Sequence, residues 1–216
     1  MARAYSVSEM LKLRKITIPF KGDWYKAFST PERTGIWFVW GNSGNGKSSF
    51  VMQLCKELAQ YGKVAYNSLE EGSSLSVQNA LTRVNMQEVN RRFLLLDCEP
   101  IEVLSTRLLK KKSPDFVVID SFQYSMLTYK AYIKLKELHK NKLLIFVSHA
   151  DGKQPSGRAA KSVMYDAALK IYVEGYKAVS KGRYIGPNGG MYVIWHEGVE
   201  QYWGDFTGET LEDNKE

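Results

Sequence analysis

The chain has 216 residues, enough for one large domain, and its apolar fraction of 44% and charged fraction of 25% are those of an ordinary globular protein. Its apolar runs are far shorter than the roughly 20 residues that span a bilayer, and its amino-terminal segment lacks the apolar core of a secretory signal, so we expect a cytoplasmic protein without a membrane partner. The net charge of +7 indicates a polyanionic partner only weakly.

The first segment, residues 1–29, is predicted to be a helix and a lead-in. Ser6 and Glu9 have capping-box spacing, and apolar residues follow them on one stripe, so we predict a short helix near residues 7–15. The stretch IPFKGDWYKAFSTPERTG is predicted to be a loop before the first strand. The segment as a whole is a candidate for docking on a neighbouring subunit.

Alternating apolar runs and helical patterns predict an α/β domain over residues 30–204. The predicted strands are GIWFVW, KVAYNSLE, RFLLLD, DFVVIDS and LLIFVSHA, and the predicted helices are SSFVMQLCKELAQYG, PIEVLSTRLLKK and YKAYIKLKELHKN. This alternation predicts a mostly parallel sheet covered by helices on both faces.

The carboxyl-terminal part predicts a different arrangement. LKIYVE, KGRYIG and MYVIWHEG lie close together, as antiparallel strands do, and GPNGG is the strongest hairpin turn of the chain. Residues 205–216 form a mostly acidic tail, either a solvated terminus or a functional acidic segment. Cys55 and Cys98 have no second cysteine or histidine at metal-site spacing, so we predict that both are small core residues.

The segment GNSGNGKSSF follows the first apolar run directly. It satisfies G-x-x-x-x-G-K-S/T between a predicted strand and a predicted helix, which is the context of a P-loop. In this motif backbone N–H groups surround the phosphates, Lys47 reaches the β and γ oxygens, and the Ser48 hydroxyl ligates Mg²⁺. The predicted nucleotide-binding residues are Gly41, Asn42, Ser43, Gly44, Asn45, Gly46, Lys47, Ser48 and Ser49.

Carboxylates follow two other predicted strands. FVVIDS ends at Asp120, which has the form of a Walker B acid that holds Mg²⁺. YNSLEEG puts Glu70 and Glu71 after the second strand, where a carboxylate beside the phosphates can polarise the attacking water as general base. Alternatively, both glutamates begin the next helix and complement its dipole.

In order and spacing, the P-loop, SLE, VVIDS and LKELHKNKLLIFVSHA resemble the RecA-like ATPase core of DnaB-type replicative helicases and RadA-type recombination proteins. The resemblance covers about residues 30–195. It implies Mg²⁺-dependent hydrolysis of ATP to ADP and phosphate by a homo-oligomer, either a ring or a filament. In that family the glutamate of SLE is the catalytic base, so Glu70 is the first candidate and Glu71 the second.

The resemblance also assigns a sensor of the γ-phosphate to the end of the strand after Asp120. His149 occupies this position here, where the family usually has glutamine. An imidazole can donate to a phosphate oxygen, and its charge varies near neutral pH. The alternative is that His149 only caps the following loop.

KGRYIGPNGG is similar to the K-x-R-x-G stretch of the same family, with two residues in place of one before Gly186. There the lysine and arginine act on the nucleotide of the neighbouring subunit, so Lys181 and Arg183 are candidate trans-acting residues. A guanidinium suits the charge that develops on the γ-phosphate in the transition state. A plain basic hairpin is the alternative.

Between the sensor strand and LKIYVE lies HADGKQPSGRAAKSVMYDA, which we predict to be a loop that carries Lys153, Arg158 and Lys161. In the family this loop contacts the backbone of single-stranded DNA. Spaced cations on a flexible backbone can follow phosphates without reading bases, and Tyr165 is the nearby candidate for base stacking. A solvated loop is the alternative.

The leading hypothesis is an ATPase that binds single-stranded DNA and is stimulated by it. It would act in recombination, repair or replication, as compact phage or mobile-element proteins of this family do. Only some thirty residues precede the core, which favours recombination or annealing over unwinding. The alternative is an ATP-gated protein assembly or signalling switch that binds no nucleic acid. A small-molecule kinase is disfavoured because the sequence shows no arginine-rich lid.

Overall fold

A nine-stranded sheet runs through residues 3–204, the part of the chain that the computed structural model describes. Its strands lie in the order β3-β2-β4-β5-β1-β7-β8-β9, and β6 pairs with the end of β5. Pairs from β3 to β7 are parallel, and β7, β8 and β9 are antiparallel. The strands are β1 Gly35–Gly41, β2 Val64–Ser68, β3 Phe93–Asp97, β4 Phe116–Asp120, β5 Leu143–Asp151, β6 Gln154–Pro155, β7 Leu169–Glu174, β8 Lys177–Ser180 and β9 Met191–Val193.

Helices connect the parallel strands and cover both faces of the sheet. Within residues 3–204 they are α1 Val7–Lys12, α2 Gly22–Phe28, α3 Lys47–Leu58, α4 Leu75–Arg83, α5 Ile101–Leu108, α6 Tyr129–Leu138, α7 Arg158–Asp166 and α8 His196–Trp203, with a 3₁₀ helix at Met86–Val89. None of the helices in this part of the chain is long and apolar enough to span a lipid bilayer.

Alternate residues of the central strands face opposite sides of the sheet, because successive side chains of a strand point to opposite faces. Trp37 and Val39 of β1 are buried in a core that includes α2, α3 and α4. Ile36 and Phe38 are buried in a second core that includes α5, α6 and α7. The predicted class, a mostly parallel sheet with helices on both faces and antiparallel strands at its carboxyl-terminal edge, is confirmed.

Four segments differ from the sequence prediction. The predicted loop before β1 contains α2, whose Trp24 packs on Tyr192 with ring centroids 4.2 Å apart, so distant aromatic packing stabilises this helix. KGRYIG connects β8 to β9 instead of forming a strand, and the end of MYVIWHEG begins α8. The predicted loop after β5 contains α7, because Ala160, Val163 and Met164 bury one side of that helix in the core.

The amino-terminal region has two parts. The expected helix is present with its capping box, yet every residue of α1 is exposed. Ile18, Phe20 and Phe28 are buried in the core with α3, although they precede the predicted boundary at residue 30, which stays a prediction. The acidic tail, residues 205–216, lies outside the described residues.

The two cysteines lie in different environments. Cys55 is buried in α3, as predicted. Cys98 is exposed, so its predicted core position is wrong. It follows β3 with φ +50°, and its thiol contacts the carbonyl oxygen of Ser68 at 3.4 Å, so the chain turns away from the core there.

Candidate active site

The P-loop, residues 41–48, joins β1 to α3 through glycines in unusual conformations. Gly44 and Gly46 have φ +77° and +93°, in the left-handed region that favours glycine, and Gly46 is the N-cap of α3. Gly41 approaches β7 so closely that a Cβ atom would lie 2.2 Å from the carbonyl oxygen of Val173. The loop therefore turns into the amino end of a twelve-residue helix, whose free N–H groups and dipole favour an anion.

The order of the strands gathers the predicted site residues at one edge of the sheet. β5 lies between β1 and β4, so the end of β5 with His149 stands between the P-loop and Asp120. β2 pairs with β4 on the other side, and the backbone N–H of Leu69 donates to the Asp120 carbonyl oxygen at 2.6 Å. Glu70 follows directly and therefore lies beside the same edge.

These residues line one cleft of about 1000 Å³. P-loop residues form one side, and residues after β2, β4 and β5 form the opposite side. Aromatic and apolar residues that follow β7 and β9 close one end. The lining includes Lys47, Ser48, Gln53, Glu70, Glu71, Arg83, Asp120, His149, Tyr176, Ile194 and Trp195.

Lys47 is held inside this cleft. Its Nζ donates to the backbone carbonyl oxygen of Asn42 at 3.3 Å, which keeps the ammonium over the P-loop. Burial lowers the pKa of Lys47, while the carboxylates of Asp120 and Glu70 favour its charged form and oppose that effect. The side chain therefore directs a positive charge to the region that the P-loop encloses.

Asp120 is the most perturbed carboxyl group of the cleft. Burial raises its pKa to about 6, whereas the hydroxyl of Tyr66, which donates to its Oδ2, and the charge of Lys47 act in the opposite direction. Asp120 and Ser48 supply a carboxylate and a hydroxyl to the same cleft. This donor set fits Mg²⁺, which binds hard oxygen ligands and keeps phosphate and water oxygens in its coordination shell.

The two adjacent glutamates have different partners. The carboxylate of Glu70 contacts Nε2 of His149 at 2.8 Å, which holds it on the Asp120 side of the cleft. Glu71 instead accepts from the hydroxyls of Ser74, the N-cap of α4, and Ser76. The alternative prediction, that the glutamates complement the start of the next helix, therefore fits Glu71. Glu70 instead contacts the predicted sensor, His149.

Three residues that sequence reasoning missed support the site. The hydroxyl of Tyr66, a residue of β2, donates to Asp120. In the sequence Tyr66 has the appearance of an ordinary buried strand residue. Gln123 donates to the Ser148 hydroxyl at 2.9 Å and accepts from the backbone N–H of His149 at 3.2 Å. Arg83 donates to the Ser49 hydroxyl at 3.2 Å. None of the three belongs to a motif that sequence reasoning could recognise.

Lys181 and Arg183 lie apart from this cleft. The backbone N–H of Arg183 donates to the carbonyl oxygen of Ala168, whose own N–H donates to Ile36 near the start of β1. Ile36 lies five residues before Gly41, where the P-loop begins, which is about 17 Å at 3.3 Å per residue. The Nζ of Lys181 lies 5.6 Å from the centre of the Tyr172 ring. Neither is among the described residues that line the cleft.

The three predicted DNA-contacting residues are exposed, on two elements. Lys153 lies in the turn between β5 and β6. Arg158 and Lys161 lie on α7, not on a loop, with the exposed Tyr165 at helical spacing beyond them. Two cations and one aromatic ring therefore occupy the solvent side of α7.

Sequence relatives match a smaller part of this chain than structural relatives do. No family model matches the chain. The DNA repair protein RadA of Streptococcus pyogenes serotype M3, in two strains, is 32% identical to the chain over 88 residues. Those residues are 41% of this chain and 18% of RadA, so the chain spans less than a fifth of the length of these relatives.

Solved structures resemble a larger part of the chain. A KaiC-like protein from Pyrococcus horikoshii aligns with 83% of this chain and 98% of its own, at a TM-score of 0.59 and 18% identity. The flagellar accessory protein FlaH from Methanocaldococcus jannaschii aligns with 83% of this chain and 92% of its own, at a TM-score of 0.58 and 15% identity. The fold is RecA-like. At these identities the resemblance establishes the fold alone.

Proposed function

We propose that the chain is a Mg²⁺-dependent RecA-like ATPase that binds single-stranded DNA and acts in recombination, repair or replication. One observation carries the catalytic part: Lys47 at the head of α3, the buried Asp120 and the His149-bound Glu70 line the same cleft. A cradle of backbone N–H groups, a cation, a metal-binding acid and a separate base are the components of phosphoanhydride hydrolysis.

Each component has one role in the proposed reaction. The P-loop backbone and Lys47 bind and orient the phosphates, and Ser48 with Asp120 would hold Mg²⁺, which neutralises charge on the β and γ oxygens. Glu70 takes a proton from a water whose oxygen attacks the γ-phosphorus, and the bond to ADP breaks as phosphate forms. His149 keeps the Glu70 carboxylate in place through their 2.8 Å contact, in addition to its proposed contact with the γ-phosphate.

Lys181 and Arg183 complete the site of a neighbouring subunit in this proposal. Arg183 is linked by backbone hydrogen bonds through Ala168 to Ile36, which lies about 17 Å along β1 from the P-loop. We therefore assign Arg183 to a nucleotide bound by another chain. The proposed active form is therefore a homo-oligomer. The exposed apolar residues of α1, which include Val7, Met10 and Leu11, support its docking on the next subunit.

The nucleic-acid surface is proposed at the edge of the sheet where β4 and β5 end. Gln123 donates to the carbonyl oxygen of Ser156 at 3.0 Å and so fastens the loop after β4 to the segment after β5. The loop after β4 presents Tyr124 and Met126, which are 53% and 86% exposed. Arg158 and Lys161 lie on α7, which begins two residues after Ser156. The proposed surface therefore combines cations for the phosphates with apolar groups on which bases can stack.

The second candidate function is an ATP-gated protein assembly or signalling switch that binds no nucleic acid. The resemblance to FlaH, a flagellar accessory protein, favours it. The P-loop serves both functions equally, because it holds phosphate in either case. The two proposals differ in the partner that the ATPase activity responds to.

ATPase activity measured with and without single-stranded DNA distinguishes the two functions. We expect stimulation of the full chain and no activity in Lys47→Ala. DNA binding should weaken steeply with salt, and an Arg158→Ala/Lys161→Ala double variant should lower the slope of log K against log salt by about 1.4, or about 0.7 per lost contact. Lys110→Ala/Lys111→Ala is the matched control, since these exposed lysines follow α5, before β4 begins. Activity that ignores DNA would favour the protein switch.

A further inference from the structure

One polar side chain in the cleft wall, Gln53, has no role in the proposed ATPase reaction. Gln53 lies on α3, six residues beyond Lys47 and one helical turn beyond Ser49, so it faces a part of the cleft beyond the phosphate cradle. Its Oε1 is buried and has no hydrogen-bond partner among residues 3–204. A buried acceptor without a donor is costly, which makes it a candidate for a ligand contact.

The orientation of the Gln53 amide is fixed by its other end. Its Nε2 donates to the backbone carbonyl oxygen of Ile194 at 3.1 Å. A carbonyl oxygen can only accept, so the amide must present its nitrogen to Ile194, and its oxygen is the end that is left without a partner. Gln53, which lies in the wall of the cleft, therefore has an unpaired buried acceptor, and its donor is already bonded to Ile194.

The lining residues that follow β7 and β9 are aromatic or apolar. Tyr176 and Trp195 meet edge to face, with ring centroids 5.1 Å apart and planes at 87°. Both rings line the cleft together with Ile194. Tyr176 also closes on the P-loop: its N–H donates to the Asn45 carbonyl oxygen at 3.2 Å, and a Cβ at Gly46 would lie 2.9 Å from its ring. The space beside the phosphate cradle thus accepts a planar, largely apolar group.

We propose that Gln53, Tyr176, Ile194 and Trp195 form a nucleobase pocket, and that Gln53 Oε1 selects a 6-aminopurine by accepting from its exocyclic amine. This inference rests on the proposed function, because it assigns the base of the nucleotide whose phosphates the P-loop binds. A purine with a 6-oxo group places an acceptor against Oε1, and a purine with hydrogen at position 6 leaves Oε1 unpaired. Both nucleotides lose affinity relative to ATP.

The test compares ATP with purine riboside triphosphate, which lacks only the 6-amino group, in equilibrium binding with Mg²⁺. The wild-type chain is expected to bind ATP about tenfold more tightly, which corresponds to about 1.4 kcal/mol. In Gln53→Met, which keeps length and volume without the acceptor, the ratio is expected to fall to about one. Using the ratio within each variant removes any general loss of affinity, and Gln60→Met on the exposed residue after α3 is the matched control.

Each outcome has one meaning. A tenfold ratio that disappears only in Gln53→Met supports the pocket. Equal binding of both nucleotides by the wild-type chain overturns this inference and leaves the ATPase proposal intact. A wild-type preference that persists in Gln53→Met also overturns it, because another group then reads the amine. Failure to bind either nucleotide overturns the proposed function and this inference with it.

Discussion

Replacing Asp120 with asparagine tests the buried acid of the cleft. Burial raises the pKa of Asp120 from 3.8 to about 6, so the folded protein holds the proton more tightly than the unfolded chain does. The protonated form thus contributes stability that is fully present below pH 3.8 and is lost as the pH rises through about 6. At 1.36 kcal/mol per pKa unit, ionisation of Asp120 costs about 3 kcal/mol at neutral pH in the absence of metal.

Asparagine keeps the shape of the side chain and an oxygen that accepts from Tyr66, and it removes the buried charge. Asp120→Asn should therefore raise the free energy of unfolding by about 3 kcal/mol at about pH 8, and the gain should vanish towards about pH 4. The measurement is urea unfolding at both pH values, at one protein concentration, with EDTA and without nucleotide. Asp151→Asn, at an exposed position, should show no such pH-dependent difference.

The stability advantage of the same variant should shrink when ligand is added. ATP with Mg²⁺ stabilises whichever form binds it, by an amount set by its dissociation constant. Wild-type protein should therefore gain more in thermal midpoint than Asp120→Asn, which lacks the metal-binding carboxylate. If Asp120→Asn has the stability of wild type at both pH values, burial of this charge carries no cost and the argument for a metal-binding acid loses its physical basis.

The remaining predictions concern the base, the P-loop and the subunit contact. Glu70→Gln should lower the rate of ATP hydrolysis by roughly 10²–10⁴-fold, while Glu71→Gln, whose carboxylate is occupied by Ser74 and Ser76, should retain most of it; equal losses in steady-state assays would contradict the assignment of Glu70. Gly41→Ala should destabilise the fold by roughly 1–3 kcal/mol in urea unfolding, because its Cβ would lie 2.2 Å from a β7 carbonyl oxygen, and an unchanged midpoint would show that β7 yields without cost. Arg183→Ala should bind ATP normally and hydrolyse it roughly a thousandfold more slowly, and normal turnover would remove the trans-acting role.

Sequence patterns predicted the part of the fold in which strands and helices alternate regularly. Apolar runs alternate with helical patterns at a spacing typical of a covered parallel sheet, and five of the six parallel strands were found on that basis; the sixth, β7, was predicted with the antiparallel strands. The patterns failed at α2, which has no side-chain cap at its amino end and depends on the contact of Trp24 with Tyr192. They also failed at α7, where Gly and Pro before Arg158 obscured the helical spacing of its buried residues.

The site was predictable to the extent that motifs encode it. The P-loop, Asp120 and Glu70 lie in recognisable contexts, and the structure brings them into one cleft. Tyr66 and Gln53 could not be predicted, because each reads as an interior residue of a regular strand or helix. Tyr66 bonds Asp120 of the neighbouring strand, and Gln53 bonds Ile194 after β9. These partners are distant in the sequence and are brought together by the order of the strands.

The charges of the cleft give a physical reason for the proposed oligomer. Its lining has three acidic side chains, Glu70, Glu71 and Asp120, against two basic side chains, Lys47 and Arg83. A polyanionic triphosphate entering this space needs more positive charge than Mg²⁺ and those two side chains supply, above all when charge spreads over the γ-phosphate in the transition state. Arg183 is too far along the sheet to supply it within its own chain. Assembly would then add the missing cation, so turnover would depend on subunit contact while nucleotide binding would not.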